Sequence, residues 1–142
     1  PVCLMHIKGE PATMQERPCY QNLRREVCAF LAERVTVAEQ AGVRPEHILL
    51  DPGFGFGKNL DHNLALLAAL EQLDILGYPL LIGVSRKSML GQLTGREVGE
   101  RLPASLAAAT IAAMKGASIV RVHDVRETVD AVKVATAVKE AG

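Results

Sequence analysis

The hydrophobic pattern alternates four times between a short apolar run and a longer stretch with helical spacing. The four runs are PVCLM, HILLD, PLLIGVS and SIVRVHD, at residues 1–5, 47–51, 79–85 and 118–124. Continuous apolar runs, unlike strict alternation, are typical of strands covered on both faces of a parallel sheet. We therefore predict an α/β fold of four βα units with parallel strands.

Each run is followed by a predicted helix. The first is expected over about 21–41 and the second over about 60–76, each closed by a glycine. A short helical turn near 87–93 and a longer helix over about 100–115 follow the third run. The last helix is expected to open at Asp124, which has capping-box spacing with Glu127. Periodicity alone does not choose between half of a (βα)₈ barrel and a small doubly wound sheet.

Length and composition indicate one structural unit. At 142 residues, 49% of them apolar, the chain can bury a core but falls short of the roughly 250 residues of a complete (βα)₈ barrel. No low-complexity stretch and no linker rich in Pro, Gly or Ser interrupts the sequence. We therefore interpret residues 1–142 as a single unit.

Charge and aromatic content argue against several classes of partner. Sixteen basic and sixteen acidic side chains cancel, and the chain has no Trp, so it offers neither a basic surface nor a stacking platform for nucleic acid. No apolar run approaches the roughly 20 residues that cross a bilayer, and the first residues do not resemble a secretory signal. We expect a cytoplasmic protein without nucleic-acid or membrane partners.

The cysteines and two of the histidines indicate no metal site. Cys3, Cys19 and Cys28 are too widely spaced for a zinc motif, and we expect three reduced, non-catalytic thiols that behave as small buried hydrophobes. His47 precedes a strand and His62 lies in the first turn of a helix, so both are expected at the surface. No cluster has metal-ligand spacing, and we predict that this chain alone holds no metal.

The end of the second strand carries the most distinctive motif, LLDPGFGFGKN. In parallel folds, ligands gather at the carboxyl ends of the strands. Here Asp51 ends an apolar run and is followed by alternating glycines and aromatic residues, Gly53, Phe54, Gly55, Phe56 and Gly57. One interpretation is a tight connection whose aspartate caps a turn. The other is that Asp51 accepts two parallel N–H bonds from a planar, guanidine-like edge such as that of a 2-amino-4-oxopteridine.

The third and fourth strands end in positively charged residues. Ser85, Arg86, Lys87 and Ser88 open a short helix, which is either an anion site or an ordinary Ser-capped turn. In SIVRVHD, a period of two places Arg121 and His123 on one face. A buried Arg121 needs an anion, either a carboxylate of the protein or a ligand phosphate. Barrels often bind phosphate with the loops after their last two strands.

Three further residues at strand ends have ordinary interpretations beside functional ones. Met5 and His6 end the first strand, and a thioether can line a ring pocket, although Met in a core is commoner. Asp124 is interpreted as a helix cap rather than as a catalytic base.

Five sequence blocks follow one another in the order PVCLMHIKG with PATMQ, LLDPGFGFGKN, GVSRKSMLGQL, ERLPASLAAATIAAMKGA and IVRVHDV. Together they resemble the bacterial dihydropteroate synthases over essentially the whole chain. The resemblance implies the C-terminal half, (βα)₄, of a TIM barrel. It implies an enzyme that joins p-aminobenzoate to 6-hydroxymethyl-7,8-dihydropterin pyrophosphate, releasing pyrophosphate and forming 7,8-dihydropteroate for folate synthesis. The family's N-terminal half, with its magnesium-binding asparagine and mobile loops, has no counterpart here.

The resemblance also implies roles for individual residues. Lys87, Arg121 and His123 would be catalytic, the last two by binding the pyrophosphate. Asp51 would hold the amino-pyrimidine edge of the pterin, and Lys87 would bond its ring. The remaining substrate-binding residues would be Met5 at the pterin face, Gly55 and Phe56 beside p-aminobenzoate, Ser88 at its carboxylate, and Gly83. Sulfonamides would bind as mimics of p-aminobenzoate, Mg²⁺ would accompany the pyrophosphate, and the enzyme would be a homodimer.

Two alternatives stay open. A methyltetrahydrofolate methyltransferase-like domain would share the aspartate-centred pterin site without needing pyrophosphate contacts, and a non-catalytic half-barrel would serve as an assembly module. A four-strand sheet leaves two unpaired edges, so either the chain is part of a longer polypeptide or two copies complete one barrel. From the chain alone we expect weak ligand binding and little or no turnover.

Overall fold

The computed structural model describes all residues, 1–142. Four strands and five α-helices alternate along the chain: β1 (Val2–Met5), α1 (Leu23–Gln40), β2 (Ile48–Asp51), α2 (Leu60–Ala68), β3 (Leu81–Ile82), α3 (Ser88–Thr94), α4 (Leu102–Met114), β4 (Ile119–Val120) and α5 (Val125–Ala141). Three 3₁₀ turns, Pro45–His47, Leu70–Leu76 and Val98–Glu100, complete the structure. The predicted βα alternation is confirmed. No helix is both long and apolar enough to span a membrane.

The strands lie side by side in chain order and run parallel. β1 pairs with β2, and β3 pairs with β4. One parallel bridge, Leu50 to Leu80, joins the two pairs, supported by the Leu50 N–H donating to Pro79 O over 2.9 Å. A doubly wound sheet reverses its strand order at a switch point, whereas here the order is sequential. This order is that of a segment of a (βα) barrel.

The hydrophobic core lies on only one face of this sheet. In β2, Ile48 and Leu50 are 1% and 0% exposed against the helices, while Leu49 between them is only half-buried. Cys3 lies level with Leu49 on β1, and Cys3 and Ile119 on β4 are exposed. The prediction that both sheet faces are covered is therefore wrong for this chain, because all its helices pack on one side. The open face corresponds to the interior of a barrel.

This open face also explains the cysteines. All three are free thiols, but Cys3 and Cys19 are exposed and Cys28 is half-buried. The expectation that they behave as buried hydrophobes is therefore wrong for the first two. Although Cys3 is exposed on this face, partial loss of hydration raises the pKa of its thiol, with Asp51 acting in the same direction.

The first helix follows its sequence signals closely. The Asn22 side chain accepts from the Arg25 N–H over 3.0 Å, and the Glu26 carboxylate accepts from the Asn22 N–H over 3.0 Å. Both contacts satisfy donors that a helix start leaves unpaired. Gly42, at a φ of +89°, ends the helix. The predicted span of 21–41 is confirmed to within two residues.

The second predicted helix changes type partway. It is α-helical only as far as Ala68 and continues as the 3₁₀ turn Leu70–Leu76. Leu70 and Leu73 are both fully buried. Because a 3₁₀ helix has three residues per turn, residues three apart point in one direction, so this geometry turns both leucines into the core.

The capping box predicted at Asp124 is wrong. The residue is the N-cap of α5, as predicted, but its side chain makes no cap hydrogen bond. Its carboxylate instead accepts from Arg86 Nη2 over 2.7 Å and from Arg86 Nε over 3.2 Å. A two-point bond from a guanidinium is stronger than a neutral cap bond, and it joins the β3–α3 connection to the start of α5.

The last two strands are shorter than predicted, covering only 81–82 and 119–120. Arg121 and His123 consequently lie beyond β4 rather than within a strand. Arg121 is still joined to β3, since its N–H donates to Ile82 O over 2.8 Å, whereas His123 is held by its contacts with Ser85.

Candidate functional site

The glycine loop, residues 52–58, folds down onto the backbone that leaves β1. Gly53 has a φ of +73°, and a Cβ there would lie 1.9 Å from His6 O. Gly57 has a φ of +67°, and its Cβ would lie 2.3 Å from Lys8 O. Both positions therefore require glycine for conformation and for space. The loop is docked against the end of β1 rather than projecting into solvent.

Asp51 is held beneath this loop with 2% of its surface exposed. Its Oδ1 accepts from the Gly53 N–H over 2.7 Å, as the turn-capping interpretation expects. Its Oδ2 lies 3.4 Å from Arg121 Nη2. The carboxylate thus caps the turn with one oxygen and turns the other toward the end of β4.

Lys87 lies across the site from Asp51. Its ammonium donates to Phe54 O and stands 5.0 Å from the centre of the Phe56 ring. Burial lowers the pKa of Lys87 to about 8, while Asp51 acts to raise it. The glycine loop and the β3–α3 connection therefore meet at this amino group.

Arg121 and His123 form the opposite end of the site, which is open to solvent. The Arg121 side chain is 56% exposed. Its guanidinium lies so close to Gly83 that a Cβ there would be 2.6 Å from Nη2. His123 Nδ1 lies 2.9 Å from Ser85 Oγ, which also accepts from the His123 N–H over 3.2 Å. A cavity of about 140 Å³ is lined by Gly83, Ser85, Lys87, Arg121, Val122 and His123. We call these lining residues the anion wall.

Several predicted site residues lie elsewhere. Arg86, predicted to attract an anion, has its guanidinium paired with Asp124 and does not line the cavity. Its φ of +57° is unusual for a residue with a side chain. Ser88 is exposed at the first residue of α3 and also lies outside this cavity. Met5 is half-buried and stands beside Asp51 in the β1–β2 register.

The sequence prediction missed Lys58, the last residue of the glycine loop. It is 1% exposed, and its Nζ lies 2.8 Å from His6 Nδ1 and 2.8 Å from Gly53 O. Burial lowers its pKa to about 7, and burial also lowers the pKa of His6 to about 4. The one available signal was a lysine directly after the glycines and before the helix-capping Asn59.

The remaining histidines lie near the surface as predicted. His47 is exposed, whereas His62 is half-buried and its ring accepts from the Asn59 N–H over 3.2 Å. This bond completes a capping box at the start of α2.

The side chains at the site do not fit a protein-held magnesium ion. Mg²⁺ prefers carboxylate and water oxygens, and no group of three or more His, Cys, Asp or Glu residues lies together in the chain. The one carboxylate at the site, Asp51, is already bonded by Gly53 and Arg121. The surrounding groups are donors and cations, which suit an anion.

A family model described as "Pterin binding enzyme" matches residues 1–123. The chain belongs to the pterin-binding enzyme family. Dihydropteroate synthase of Escherichia coli K12 is 56% identical over 137 residues, covering 96% of this chain and 49% of the relative. The enzyme of Haemophilus influenzae is 48% identical over 134 residues. The chain thus spans about half the length of the curated relatives it matches.

A solved structure supports the same relationship. Dihydropteroate synthase of Yersinia pestis, in complex with a sulfonamide drug, superimposes with a TM-score of 0.98 at 48% identity, covering 100% of this chain and 52% of that one. The fold of the chain is therefore that of part of a pterin-binding α/β barrel, which confirms the predicted fold class.

Proposed function

We propose that this chain forms the pterin- and pyrophosphate-binding half of a dihydropteroate synthase. The observation that carries the proposal is the convergence of Asp51, Lys87 and Arg121 from three different strand ends, with the Asp51 carboxylate 3.4 Å from the Arg121 guanidinium. A buried acceptor beside a solvent-open group of cations suits a neutral ring joined to a charged leaving group. The relatives are named dihydropteroate synthases, which points to the same activity.

The pterin end of the site is proposed to include Asp51 and Lys87. The aspartate would accept hydrogen bonds from the amino-pyrimidine edge, and Lys87 would donate to the ring. Met5, level with Asp51 on the neighbouring strand, would contact the ring face. Because Asp51 is almost fully buried, water would compete little for its hydrogen bonds.

The anion wall is proposed to hold the pyrophosphate. Arg121 and His123 would contact it, and Gly83 leaves the guanidinium the room to lie flat above β3. Ser85 Oγ, 2.9 Å from His123 Nδ1, would keep that imidazole oriented. This cation-lined cavity favours the synthase over a pterin-dependent methyltransferase, which has no pyrophosphate to bind.

The proposed reaction is a substitution at the pterin methylene carbon. The amine nitrogen of p-aminobenzoate forms a new C–N bond while the C–O bond to pyrophosphate breaks, and the amine proton is released to solvent. Arg121, His123 and Lys87 would stabilise the negative charge that develops on the leaving group. No covalent enzyme intermediate is needed.

The second substrate is proposed to bind beyond the glycine loop. Gly55 and Phe56 are half-buried and would form the wall beside p-aminobenzoate, and Ser88 at the start of α3 would meet its carboxylate. Sulfonamides would compete there. Magnesium would arrive bound to the pyrophosphate, because the chain's own residues do not form a site for it.

The complete protein is proposed to be a cytoplasmic homodimer. Support comes from the apolar side chains that α4 and α5 leave exposed, including Ile111 at 43%, Val134 at 65% and Val138 at 59%. Apolar surface of this kind marks sites of protein contact. Light scattering should give twice the monomer mass, and a monomer at micromolar concentration would contradict the proposal.

The activity is best tested in a chimera that joins this chain to the part of the Escherichia coli enzyme outside the matched residues. We expect pyrophosphate release that depends on p-aminobenzoate and is inhibited by sulfonamide. The 142-residue chain alone should bind pterin and pyrophosphate, raising its melting temperature, but turn over little or not at all. A folded chimera without activity, beside an active Escherichia coli control, would reject the proposed function.

A further inference from the structure

The side chain of Lys58 ends in a buried amino group that the proposed reaction does not use. Its Nζ has three neighbours within hydrogen-bond distance, His6 Nδ1 at 2.8 Å, Gly53 O at 2.8 Å and Phe56 O at 3.1 Å. Two of these are carbonyl oxygens, which only accept. A neutral imidazole with an unprotonated Nδ1 supplies the third acceptor, so an ammonium group would have every donor satisfied. This matters because an unpaired buried charge is very costly.

These contacts fix the shape of the glycine loop. Gly53 and Phe56 stand at the two ends of a tight turn, in which the Phe56 N–H donates to Gly53 O over 3.1 Å. Lys58 binds both carbonyls from inside and ties them to His6, whose ring packs edge-on against Phe30 with centroids 4.9 Å apart. The turn is thereby anchored to β1 and α1.

The loop in turn holds the residues at the pterin end. The Gly53 N–H donates to Asp51 Oδ1 over 2.7 Å, and Phe54 O accepts from Lys87 Nζ. A shift of the turn would therefore move a partner of each of these two side chains. The bond between Ser85 and His123 makes no contact with the loop.

Uncharged side chains hold the middle and the far end of the loop. The Gly55 N–H donates to Asn63 Oδ1 over 2.9 Å, a bond that involves neither of the carbonyls that Lys58 binds. Gln15 exchanges two hydrogen bonds with the Lys58 backbone, at 3.1 and 3.2 Å, and Tyr20 Oη donates to Gly57 O over 2.8 Å. Neither contacts Gly53 or Phe56. Among the side chains, Lys58 is the one that binds both of these carbonyls.

We propose that Lys58 is a positioning residue, which sets the glycine loop so that Asp51 and Lys87 are correctly placed for the pterin ring. That the ligand is a pterin ring rests on the proposed function, whereas the anchoring of the loop by Lys58 does not. The charges that face Lys58 are consistent with this role: Asp51 acts to raise its pKa, and Lys87 acts with burial to lower it.

The test compares the full chain with its Lys58→Met variant, which keeps the length of the side chain but removes its donors. Lys139→Met, an exposed position on α5, is the matched control. Calorimetry would measure the binding of 6-hydroxymethylpterin and of pyrophosphate separately, and ¹H–¹⁵N spectra would follow the amides of Gly53, Gly55 and Phe56. Lys58→Gln, which retains one donor group, is the second variant if Lys58→Met does not fold.

We expect Lys58→Met to weaken pterin binding at least tenfold and to shift the loop amides. Pyrophosphate binding should weaken much less, because Lys87 is the one cation of the anion wall that contacts the loop. Lys58→Gln should lose less, and Lys139→Met should match the original chain. Equal losses for both ligands would show general destabilisation, and unmoved amides with unchanged pterin affinity would show that the loop does not need Lys58. Either result overturns the inference.

A failure of the proposed function would look different. If the original chain binds neither ligand while the loop amides still shift in Lys58→Met, then Lys58 anchors the loop but the proposed substrates are wrong. If those amides do not shift, the inference is overturned whatever the chain binds.

Discussion

The two ends of the site are built in contrasting ways. At the glycine loop, Asp51 and Lys58 are 2% and 1% exposed, and the loop backbone packs directly onto the end of β1. At the anion wall, the Arg121 side chain is 56% exposed and His123 is also exposed. The first end is part of the folded core, whereas the second lies on its surface. Substitutions should therefore affect folding at one end and mainly binding at the other.

The contrast fits the ligands we propose. A neutral ring is recognised by hydrogen bonds, which are strongest when the acceptor is already oriented and shielded from water. A pyrophosphate carries several charges, attracts cations over longer distances and remains partly hydrated when bound. A rigid, dry end and an open, cationic end are therefore both useful in one site.

The largest effect should come from adding one methyl group at the rigid end. Gly53→Ala would place a Cβ 1.9 Å from His6 O at a φ of +73°, so we expect a loss of more than about 3 kcal/mol in the free energy of unfolding. Gly55→Ala is the matched control. Its Cβ would meet only the flexible Lys87 side chain, at 3.6 Å or more, so the substitution should cost about 1 kcal/mol. Urea denaturation of both variants measures this difference. Similar losses would mean that the loop is not docked on β1.

Asp51→Asn separates binding from folding at the same end. The amide oxygen can still accept from the Gly53 N–H, so the chain should fold. The loss of the charged acceptor should weaken pterin binding about 100-fold, or roughly 3 kcal/mol. Pyrophosphate binding should not weaken, because Arg121 would lose a competing partner 3.4 Å away. Calorimetry with each ligand measures both effects, and a parallel loss would contradict the division of the site.

Arg121→Ala tests the open end. We expect pyrophosphate binding to weaken about tenfold, or roughly 1.4 kcal/mol, with little change in pterin affinity. The free energy of unfolding should change by less than about 1 kcal/mol, because the Arg121 side chain is 56% exposed and the buried Asp51 carboxylate keeps its bond from the Gly53 N–H. Unchanged pyrophosphate binding would show that Arg121 serves only to pair with Asp51.

The pH dependence of stability should show a smaller effect, arising again from the rigid end. Burial, with the nearby charges of Lys58 and Lys8, lowers the pKa of His6 from its ordinary 6.5 to about 4. As the pH falls, the unfolded chain binds this proton before the folded chain does. The contribution of His6 to the free energy of unfolding is therefore present above pH 6.5 and is lost as the pH falls toward 4. We expect a loss of about 1 kcal/mol, after allowing for water that reaches the protonated ring.

Thermal melts between pH 4 and 7 would measure this loss. His6→Gln is the control, since its amide oxygen can still accept from Lys58 but does not titrate in this range. An equal acid slope in the two chains would show that His6 is not responsible.

Much of the fold could be predicted because its signals are local. Helical spacing placed α1 to within two residues, and the glycines that require positive φ marked the loop after β2. One wrong prediction concerns the choice between hydrogen-bond partners. Asp124 had the spacing for a cap, yet it pairs with Arg86, 38 residues away in the chain. Which acceptor a charged side chain selects depends on distances that local spacing does not encode.

The candidate site divides in the same way. Asp51, Lys87, Arg121 and His123 could be chosen from the sequence, because polar residues directly after apolar runs stand out at the ends of parallel strands. Lys58 could not, because nothing in a local pattern distinguishes a solvated lysine from one folded beneath its own loop.

By itself, then, the sequence determined the βα alternation, the ends of α1, the glycine loop and the identity of the polar residues at the strand ends. Backbone conformation and side-chain periodicity are properties of neighbouring residues, so a short window of sequence contains them. Only the tertiary structure decided that one sheet face is left open, that Lys58 meets His6 across 52 residues of chain, and that Asp51 faces Arg121 across 70. Those contacts depend on how the strands pack side by side, and that packing is settled by the whole chain at once.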